Sequence, residues 1–247
     1  MEEKYYKASE IWKKAKFPVA FTGAGISVPS GIPDFRSPGG LWTRYDPMKV
    51  ATAEAIHNNP EEVWKFLLET VDLLEKSQPN PAHLALAELE NNDKLKGIIT
   101  QNIDNLHQRA GSKNVVEYHG NFERFYCVKC GKKYTKDEVK KIIATQLPPY
   151  CQCKGLIRPD VVFFGEPIPH KAIIESDSLI QNCDLILICG TSGEVSPANT
   201  IPRIVKRNGG SVIEINLGHT YYYDITDIRF DESVDIVLPK LKELILS

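Results

Sequence analysis

The amino-acid sequence predicts an α/β protein with a doubly wound parallel sheet and a smaller domain inserted into it. Several short runs are almost entirely apolar and end in Gly, Ser, Asn or Asp, as strands buried on both faces of a parallel sheet do. Helical segments lie between or beside these runs, and two regions interrupt the alternation. The predicted strands lie in residues 18–25, 97–102, 114–120, 184–192 and 211–218.

The helical segments support the same fold. Residues 1–17 form an amphipathic pattern, and PAHLALAELEN begins with proline in its first turn. Gly209-Gly210 ends PANTIPRIVKRNGG before the next strand, and DSLIQNC and LPKLKELILS are further helices. The apolar face of PEEVWKFLLETVDLLEK consists of Val63, Phe66, Leu67, Val71 and Leu74. This alternation of helices and strands predicts a Rossmann-like domain.

The two regions that break the alternation divide the chain. We expect the Rossmann-like domain to consist of residues 1–33, 81–121 and 159–247. Residues 34–80 form a loop and a helical insertion without a strong strand pattern. Residues 122–158 form a small module that holds all four closely paired cysteines.

The composition is that of an ordinary globular chain. The 247 residues are 42% apolar and 25% charged, and the formal net charge is −2, so binding to a polyanion or a membrane surface would need a local patch. The sequence has no apolar run of about 18 residues and no signal-peptide core at its start. We therefore expect a cytoplasmic protein with reduced cysteines, whose close cysteine pairs are first considered as metal ligands.

A glycine-rich turn follows the first predicted strand. Gly23 and Gly25 allow a tight turn and the close approach of backbone N–H groups to a phosphate. A full dinucleotide-binding fingerprint has a third glycine where this chain has Val28, so a simple tight βα turn also fits the pattern. An acid, an aromatic ring and a base follow at residues 34–36. They suit a lid over a ligand, or a solvated loop with Phe35 in the core.

Four of the six cysteines form two close pairs. Cys127-x-x-Cys130 and Cys151-x-Cys153, with residues 131–150 between them, are typical of a tetrahedral zinc site. Four thiolates close the site, which makes it structural rather than catalytic. Only one residue separates the second pair, where two are commoner, so binding through Cys153 requires a turn there. A redox pair and unrelated buried cysteines are the alternatives.

The surroundings of the cysteine pairs are basic. Lysines near a zinc ribbon can bind nucleic acid, but a run of lysines is more often a solvated face. Cys183 and Cys189 fall in or beside an apolar strand and are interpreted as core residues. The lysines are Lys129, Lys132, Lys133, Lys136, Lys140 and Lys141.

One histidine has the position of a catalytic base. His119 ends a predicted strand, and the carboxyl ends of strands in an open α/β sheet face the ligand crevice. A strand-end histidine without a catalytic role is the alternative. His107 follows Asp104 on a predicted helix, a spacing that more often orients a side chain locally than forms a catalytic dyad. The remaining histidines are interpreted as surface or capping residues: His57, His83, His170 and His219.

Several motifs, taken in chain order, resemble those of the sirtuin family. They are GAGIS with SGIPDFR, TQNIDNLHQRAG, HG, the two cysteine pairs, RPDVVFFGE, GTS and IN. They extend from about residue 18 to residue 218, and the longest of them are highly specific. The resemblance implies an NAD-dependent protein lysine deacylase of the prokaryotic type, with a Rossmann-like domain and a small zinc domain.

The resemblance also implies the roles of individual residues. His119 matches the general base, Asn102 borders the nicotinamide, and Phe35 shields the reactive ribose carbon. The substrate peptide would lie against Phe164, Gly165, Glu166 and Val195, and one structural zinc ion would be held by Cys127, Cys130, Cys151 and Cys153. The co-substrate NAD would contact Gly23, Ala24, Gly25, Ser27, Val28, Phe35, Arg36, Gln101, Ile103, Asp104, Gly190, Thr191, Ser192 and Asn216.

The implied reaction is chemically consistent. An amide oxygen is a poor nucleophile, but loss of nicotinamide leaves an electrophilic ribose carbon that the acyl oxygen can attack. His119 would then deprotonate a ribose hydroxyl, and a lid that carries Phe35 would exclude water. The implied products are nicotinamide, free lysine and O-acyl-ADP-ribose.

Two departures from the family pattern bear on specificity. Glu194 and Ser196 replace an apolar residue and a tyrosine, so Glu194 either favours basic residues in the substrate or simply faces solvent. Leu67 and Thr70 align with the Tyr-x-x-Arg pair that binds succinyl and malonyl groups in one branch. Without a cation at that position, we expect removal of acetyl or other uncharged acyl groups.

Two other classes of function compete with deacylation. ADP-ribosyl transfer to protein, or NAD hydrolysis, could use the same site. The peptide-strand motif VVFFGE and His119 favour deacylation, since a pure NAD hydrolase needs no peptide groove. A non-enzymatic zinc-ribbon nucleic-acid binder is disfavoured by the low net charge. The expected partner is an acetyl-lysine protein or peptide, with no membrane and with nucleic acid only through substrate proteins.

Overall fold

The computed structural model describes residues 2–35 and 39–247, and within these ranges six strands form an all-parallel sheet. In chain order the strands are β1 (Pro18–Thr22), β2 (Gly97–Thr100), β3 (Val115–Glu117), β4 (Gly120–Cys127), β5 (Lys133–Thr135), β6 (Ile157–Val161), β7 (Leu185–Cys189), β8 (Ser211–Ile215) and β9 (Ile228–Phe230). The parallel sheet has the order β3-β2-β1-β7-β8-β9. The antiparallel strands β5-β4-β6 form a second, smaller sheet.

Helices cover both sheets. They are α1 (Glu2–Lys14), α2 (Pro47–Val50), α3 (Ala53–Asn58), α4 (Pro60–Lys76), α5 (Pro81–Asn91), α6 (Leu106–Arg109), α7 (Lys136–Ile143), α8 (His170–Ile180), α9 (Ile201–Arg207) and α10 (Val234–Leu246). Short 3₁₀ segments occupy Ala24–Ser30, Leu41–Thr43 and Ala198–Thr200. The predicted helices are present, although α8 and α10 begin earlier in the chain than their patterns indicated.

The parallel sheet separates two apolar layers. Side chains alternate along each strand, so Ala20 packs with α1, α5 and α10 on one face, whereas Val19 and Phe21 pack with α8 and α9 on the other. All five residues of β1 are buried, which explains why the strand is apolar without alternation. The prediction of a doubly wound α/β fold is confirmed.

The strand order determines where a ligand can bind. β1 pairs with β2 on one side and with β7 on the other. From β1 the strands β2 and β3 extend the sheet in one direction, and from β7 the strands β8 and β9 extend it in the opposite direction. Such a reversal is the topological switch point of a doubly wound sheet, where the loops after neighbouring strands diverge and leave a crevice. The loops after β1 and β7 contain Gly23 and Gly190, respectively.

A third core joins the two regions that interrupt the sheet. Trp64 of α4 is fully buried, lies 6.2 Å from Phe125 of β4 between ring centroids, and donates from Nε1 to the carbonyl of Ile157 in β6 at 3.1 Å. The helical insertion and the cysteine-bearing sheet therefore share one hydrophobic cluster. The residue boundaries given above for the domains stay a prediction.

Two features complete the fold. The short edge strand β9 pairs in parallel with β8, and the sequence pattern did not predict it. In the part of the chain that the structure describes, no helix has the length and apolar character needed to cross a bilayer.

Candidate active site

Backbone segments pack tightly at the switch point because glycines occupy it. A Cβ atom at Gly23 would lie 2.7 Å from the Cβ of Thr191, and one at Gly25 would lie 2.7 Å from the Cα of Gly190. Gly190 has a φ of +61°, and a Cβ there would lie 2.2 Å from the nitrogen of Ile26. Side chains at these positions would collide with the neighbouring loop, so the glycines allow the loops after β1 and β7 to pack in direct contact.

The first loop places a buried serine against a buried carboxylate. Ser27 is 1% exposed and donates from Oγ to Oδ2 of Asp104 at 2.6 Å. The other carboxylate oxygen of Asp104 accepts from the backbone N–H of Leu106 at 2.9 Å, which holds the start of α6. Burial raises the pKa of Asp104, although the hydrogen bonds from Ser27 and Leu106 act in the opposite direction. Asp104 thus orients Ser27; His107 does not orient Asp104, contrary to the local role suggested by their spacing.

The strand-end amides tie the loops of three strands together. Asn102 donates from Nδ2 to the carbonyl of Gly23 at 3.1 Å and to Oγ of Ser27 at 3.2 Å. Gln101 donates from Nε2 to Oγ1 of Thr191 at 3.0 Å. These contacts fix both amide groups at the crevice, between the loops that follow β1, β2 and β7.

The predicted base lies at the edge of this arrangement. His119 is half-buried, and its Nδ1 lies 3.1 Å from the carbonyl oxygen of Gln101. A carbonyl oxygen only accepts, so Nδ1 carries the proton and Nε2 is left as the basic nitrogen. Burial lowers the pKa of His119, and the hydrogen bond to Gln101 offsets part of this effect. His119 is therefore neutral at pH 7 and able to accept a proton.

The remaining predicted cofactor residues lie around the same crevice. Asn216 follows β8 and donates from Nδ2 to the carbonyl of Thr191 at 2.9 Å, and Ser192 accepts from the N–H of Tyr221 at 2.8 Å. Ala24 and the exposed Val28 lie on the 3₁₀ segment after Gly23. Ile103 is half-buried, and its carbonyl accepts from the N–H of Phe122 at 3.0 Å.

An aromatic stack borders the loop predicted to act as a lid. The ring centroids of Phe35 and Trp42 lie 5.1 Å apart, and those of Trp42 and Phe66 lie 6.1 Å apart. Phe35 remains 38% exposed, so it packs on Trp42 at the surface and is not an interior core residue. The prediction for Arg36 falls outside the described residues.

The predicted peptide-binding segment is exposed but rigidly supported. Phe164 is 43% exposed, and its N–H and C=O both bond to the chain that leads into α3, at Ala51 and Ala53. Gly165 follows with a φ of +89°, and both oxygens of Glu166 accept from Arg158. In the other predicted peptide-binding segment, Val195 is half-buried and Glu194 is exposed.

The four paired cysteines converge on one point. Their sulfurs all lie within 4.8 Å of one another, with 3.4 Å between Cys127 and Cys153 and 3.7 Å between Cys130 and Cys151. Tetrahedral thiolates at a Zn–S distance of about 2.3 Å have sulfurs roughly 3.8 Å apart, whereas a disulfide requires about 2 Å. A Cβ at Gly155 would lie 2.5 Å from the sulfur of Cys127, so glycine is required beside the ligands. The residues fit one structural zinc ion, and Cys153 is among them.

Other sequence interpretations concern the remaining cysteines and histidines. Cys183 and Cys189 are buried core residues as predicted, and His57, His170 and His219 are exposed. His83 has the second of the two predicted roles: it caps α5, and its side chain is fully buried. A histidine three residues after Asn80 in a helix-start pattern was the available signal for this cap.

Comparisons with known proteins agree with this geometry. A profile of the Sir2 family matches residues 23–197. An NAD-dependent protein deacetylase of Saccharolobus solfataricus is 48% identical over 240 residues, covering 97% of this chain and 96% of the relative. An NAD-dependent protein deacylase of Thermococcus kodakarensis is 45% identical over 238 residues, covering 95% and 93%, respectively.

Solved structures are equally similar. A structure described as a basis for the mechanism and regulation of Sir2 enzymes superimposes with a TM-score of 0.92 at 40% identity, covering 100% of this chain and 99% of the other. A Sir2 variant with a deacetylated p53 peptide and 3'-O-acetyl ADP-ribose also gives 0.92 at 40% identity, with 96% coverage of each chain. A complex of Sir2, p53 peptide and NAD⁺ gives 0.89 at 39% identity, again covering 96% of each.

Proposed function

We propose that this chain, which belongs to the Sir2 family, is an NAD-dependent protein lysine deacylase. It transfers an acetyl or other uncharged acyl group from lysine to ADP-ribose and releases nicotinamide. NAD is the co-substrate, and one zinc ion is structural. The observation that carries the proposal is the position of neutral His119 between two elements: its Nδ1 faces the carbonyl of Gln101, and its own carbonyl accepts from the N–H of Val162 at 2.9 Å. The base thus connects the cofactor crevice to the peptide-binding segment.

The reaction begins with the amide oxygen of the acyl-lysine, which is a weak nucleophile. Cleavage of nicotinamide from NAD supplies an electrophilic ribose carbon that this oxygen can attack. The chain holds the reacting groups in place, because Asn102 is fixed by Gly23 and Ser27, and Ser27 is in turn fixed by Asp104. Fixed polar groups need little reorganisation during the reaction, which lowers its barrier.

His119 then acts as a general base. With the proton on Nδ1, the bare Nε2 can take a proton from a ribose hydroxyl, whose oxygen attacks the acyl carbon. The hydrogen bond from Nδ1 to the carbonyl of Gln101 supports the imidazolium that forms, since a carbonyl oxygen favours the charged ring. Phe35, which stacks on Trp42, would keep water from the ribose carbon.

The expected preference for uncharged acyl groups depends on Leu67 and Thr70, which align with the Tyr-x-x-Arg pair of the branch that binds succinyl and malonyl groups. Leu67 is buried in the core, whereas Thr70 lines a cavity of about 260 Å³ together with Tyr45. Arg44 and Lys76 also line this cavity, so cations are present there although neither aligned position, Leu67 or Thr70, carries one. This observation favours acidic acyl groups as a second candidate substrate class.

Two carboxylates argue for the uncharged groups. Glu69 and Asp72 line the same cavity and offset the two cations there, so a succinyl carboxylate would meet both signs of charge. We expect higher kcat/KM on an acetyl-lysine peptide than on the matched succinyl-lysine peptide. A preference for succinyl that disappears in Arg44→Ala would overturn this expectation.

ADP-ribosyl transfer to protein and NAD hydrolysis remain the alternative reactions of this site. They are distinguished by incubating the protein with NAD, with and without an acetyl-lysine peptide, and measuring nicotinamide. Deacylation predicts release that depends on the peptide. Release of equal rate without the peptide would favour hydrolysis, and a peptide that gains the mass of ADP-ribose would favour transfer.

Location and partners complete the proposal. Four thiolates in a zinc site are stable where cysteines stay reduced, which supports the cytoplasm. The partner is a protein or peptide with an acyl-lysine, bound along Phe164 and Val195.

A further inference from the structure

Two histidines outside the catalytic centre lie together in the interior. His83 of α5 is 0% exposed, His107 of α6 is 1% exposed, and their ring centroids are 4.9 Å apart. Neither ring is assigned a part in the reaction above. Burial lowers the pKa of His83 to about 4, and burial followed by the proximity of His83 lowers the pKa of His107, so both rings are neutral at pH 7.

Each ring has one nitrogen with a partner and one without. The backbone N–H of Asn80 donates to Nδ1 of His83 at 3.4 Å, so the proton of this neutral ring is on Nε2. Nε2 of His107 lies 2.9 Å from Oγ1 of Thr22. Among the described residues, no protein group bonds to Nε2 of His83 or to Nδ1 of His107.

The two unpartnered nitrogens complement each other. Two imidazole rings joined by an N–H···N bond of about 3 Å have centroids roughly 5 Å apart, close to the separation of this pair. Leaving both nitrogens unsatisfied in the interior would destabilise the folded protein, because each would lose its hydrogen bond to water without replacing it. Both nitrogens are satisfied if Nε2–H of His83 donates to Nδ1 of His107, either after a small rotation of the rings or through one water molecule.

This arrangement determines the direction of every following bond. With Nδ1 accepting, His107 carries its proton on Nε2 and donates to Oγ1 of Thr22, whose hydroxyl donates to Oγ1 of Thr100 at 2.8 Å. The backbone N–H of Asn102 donates to the same oxygen of Thr100 at 3.1 Å. The hydrogen-bond chain therefore ends at Asn102, which borders the nicotinamide in the proposed reaction.

The chain also reaches the glycine loop. Thr22 immediately precedes Gly23, and Asn80 donates from Nδ2 to the carbonyl of Ile26 at 2.7 Å and to Oγ of Ser30 at 2.9 Å. One set of buried bonds thus holds both the loop after β1 and the loop after β2.

We propose that His83 and His107 are positioning residues that act as one ordered pair, holding Asn102 and the glycine loop in their productive geometry. The inference rests on the proposed function for its kinetic consequence, but the ordered pair itself is independent of activity. His107→Leu removes the donor to Thr22, whereas His107→Gln can keep a donor at the position of Nε2. A displaced loop commonly costs one to two orders of magnitude in rate.

The pair is tested directly by long-range ¹H–¹⁵N NMR on the whole protein labelled in its histidines. We expect the Nε2–H tautomer for both rings and no titration of either between pH 5.5 and 8, an interval of about 2.5 units around the ordinary pKa. A Nδ1–H tautomer at His107, or a midpoint near pH 6.5 for either ring, would overturn the proposal. This result does not depend on whether the protein is a deacylase.

The positioning role is tested kinetically against a matched packing variant. We expect His107→Leu to lower kcat for peptide-dependent nicotinamide release at least about tenfold, with the KM of the peptide unchanged within about twofold. His107→Gln should retain most of the rate. Leu86→Ala, a core truncation on α5, is the control at a temperature where both variants are folded. Equal losses of kcat in His107→Leu and in Leu86→Ala would contradict the positioning role of His107. An inactive wild-type protein would contradict only the proposed function.

Discussion

The ion pair between Arg158 and Glu166 offers a quantitative test of how the peptide-binding segment is supported. Arg158 is 5% exposed, and its two terminal nitrogens bond to the two oxygens of Glu166, with Nη2 at 2.8 Å. The N–H of Phe163 donates to the same carboxylate at 2.9 Å, and the guanidinium lies 4.6 Å from the centroid of the Phe163 ring. The pair closes a loop whose tip is Phe164.

Glu166→Ala leaves the buried guanidinium without its carboxylate. Breaking a buried ion pair from one side costs about 3–5 kcal/mol. Arg158 keeps its bond to the carbonyl of Val161 at 2.7 Å, and the side chain of Glu166 is 23% exposed, so we expect about 2–4 kcal/mol. Glu166→Gln keeps the shape of the side chain and loses the charge, and we expect about 1–2 kcal/mol for it.

Urea unfolding measures the free energies, and steady-state kinetics measures the consequence for the site. Because the loop carries Phe164, we expect the KM of the peptide to rise about tenfold in Glu166→Ala, while the Kd of NAD alone, measured by calorimetry, stays within about twofold. Glu175→Ala is the control, since its pair with Lys171 is exposed and long at 3.7 Å; it should change stability by less than about 0.5 kcal/mol. A loss below about 1 kcal/mol in Glu166→Ala, or an equal weakening of NAD binding, would refute the reasoning.

Three further predictions concern the metal and protons. Cys153→Ser should lower the bound zinc measured by elemental analysis and lower Tm, since metal binding contributes to folding; unchanged zinc content would remove Cys153 from the ligand set. Burial lowers the pKa of His119, so kcat/KM should be constant from pH 7 to about 8.5 and should fall at lower pH with a midpoint below 6.5. A midpoint above pH 7 would contradict a neutral base. Because His83 titrates near 6.5 when unfolded and near 4 when folded, the unfolded chain binds more protons in between, so the free energy of unfolding should decrease by up to about 3 kcal/mol as pH falls through this window. In His83→Leu this part of the pH dependence should be absent.

The sequence predicted the sheet and its functional edge well, because both depend on local patterns. Strands that are buried on both faces are apolar without alternation, and polar residues that follow them must lie at one edge of a parallel sheet. Gly23, Asn102 and His119 follow three such strands in the sequence, and in the structure hydrogen bonds of their loops bring them to the same edge. The cysteine spacing was similarly sufficient, because chelation depends mainly on short loops.

Longer-range features were not readable from the sequence. The bond from Trp64 to Ile157 joins two regions that looked like separate insertions, and nothing local signals it. The edge strand β9 has three residues and a charged arginine at its centre, which is too short for a strand pattern. The burial of His83 was not readable from the sequence, because the ring it contacts, His107, is 24 positions away in the chain but adjacent in the fold.

The most direct test of the central claim is product analysis of the wild-type protein with NAD and an acetyl-lysine peptide. Mass spectrometry should find nicotinamide, free-lysine peptide and O-acetyl-ADP-ribose in equal amounts, and His119→Ala should lose the deacetylated peptide and the acetylated nucleotide together. Nicotinamide with plain ADP-ribose and an unchanged peptide, or full deacetylation by His119→Ala, would contradict the account.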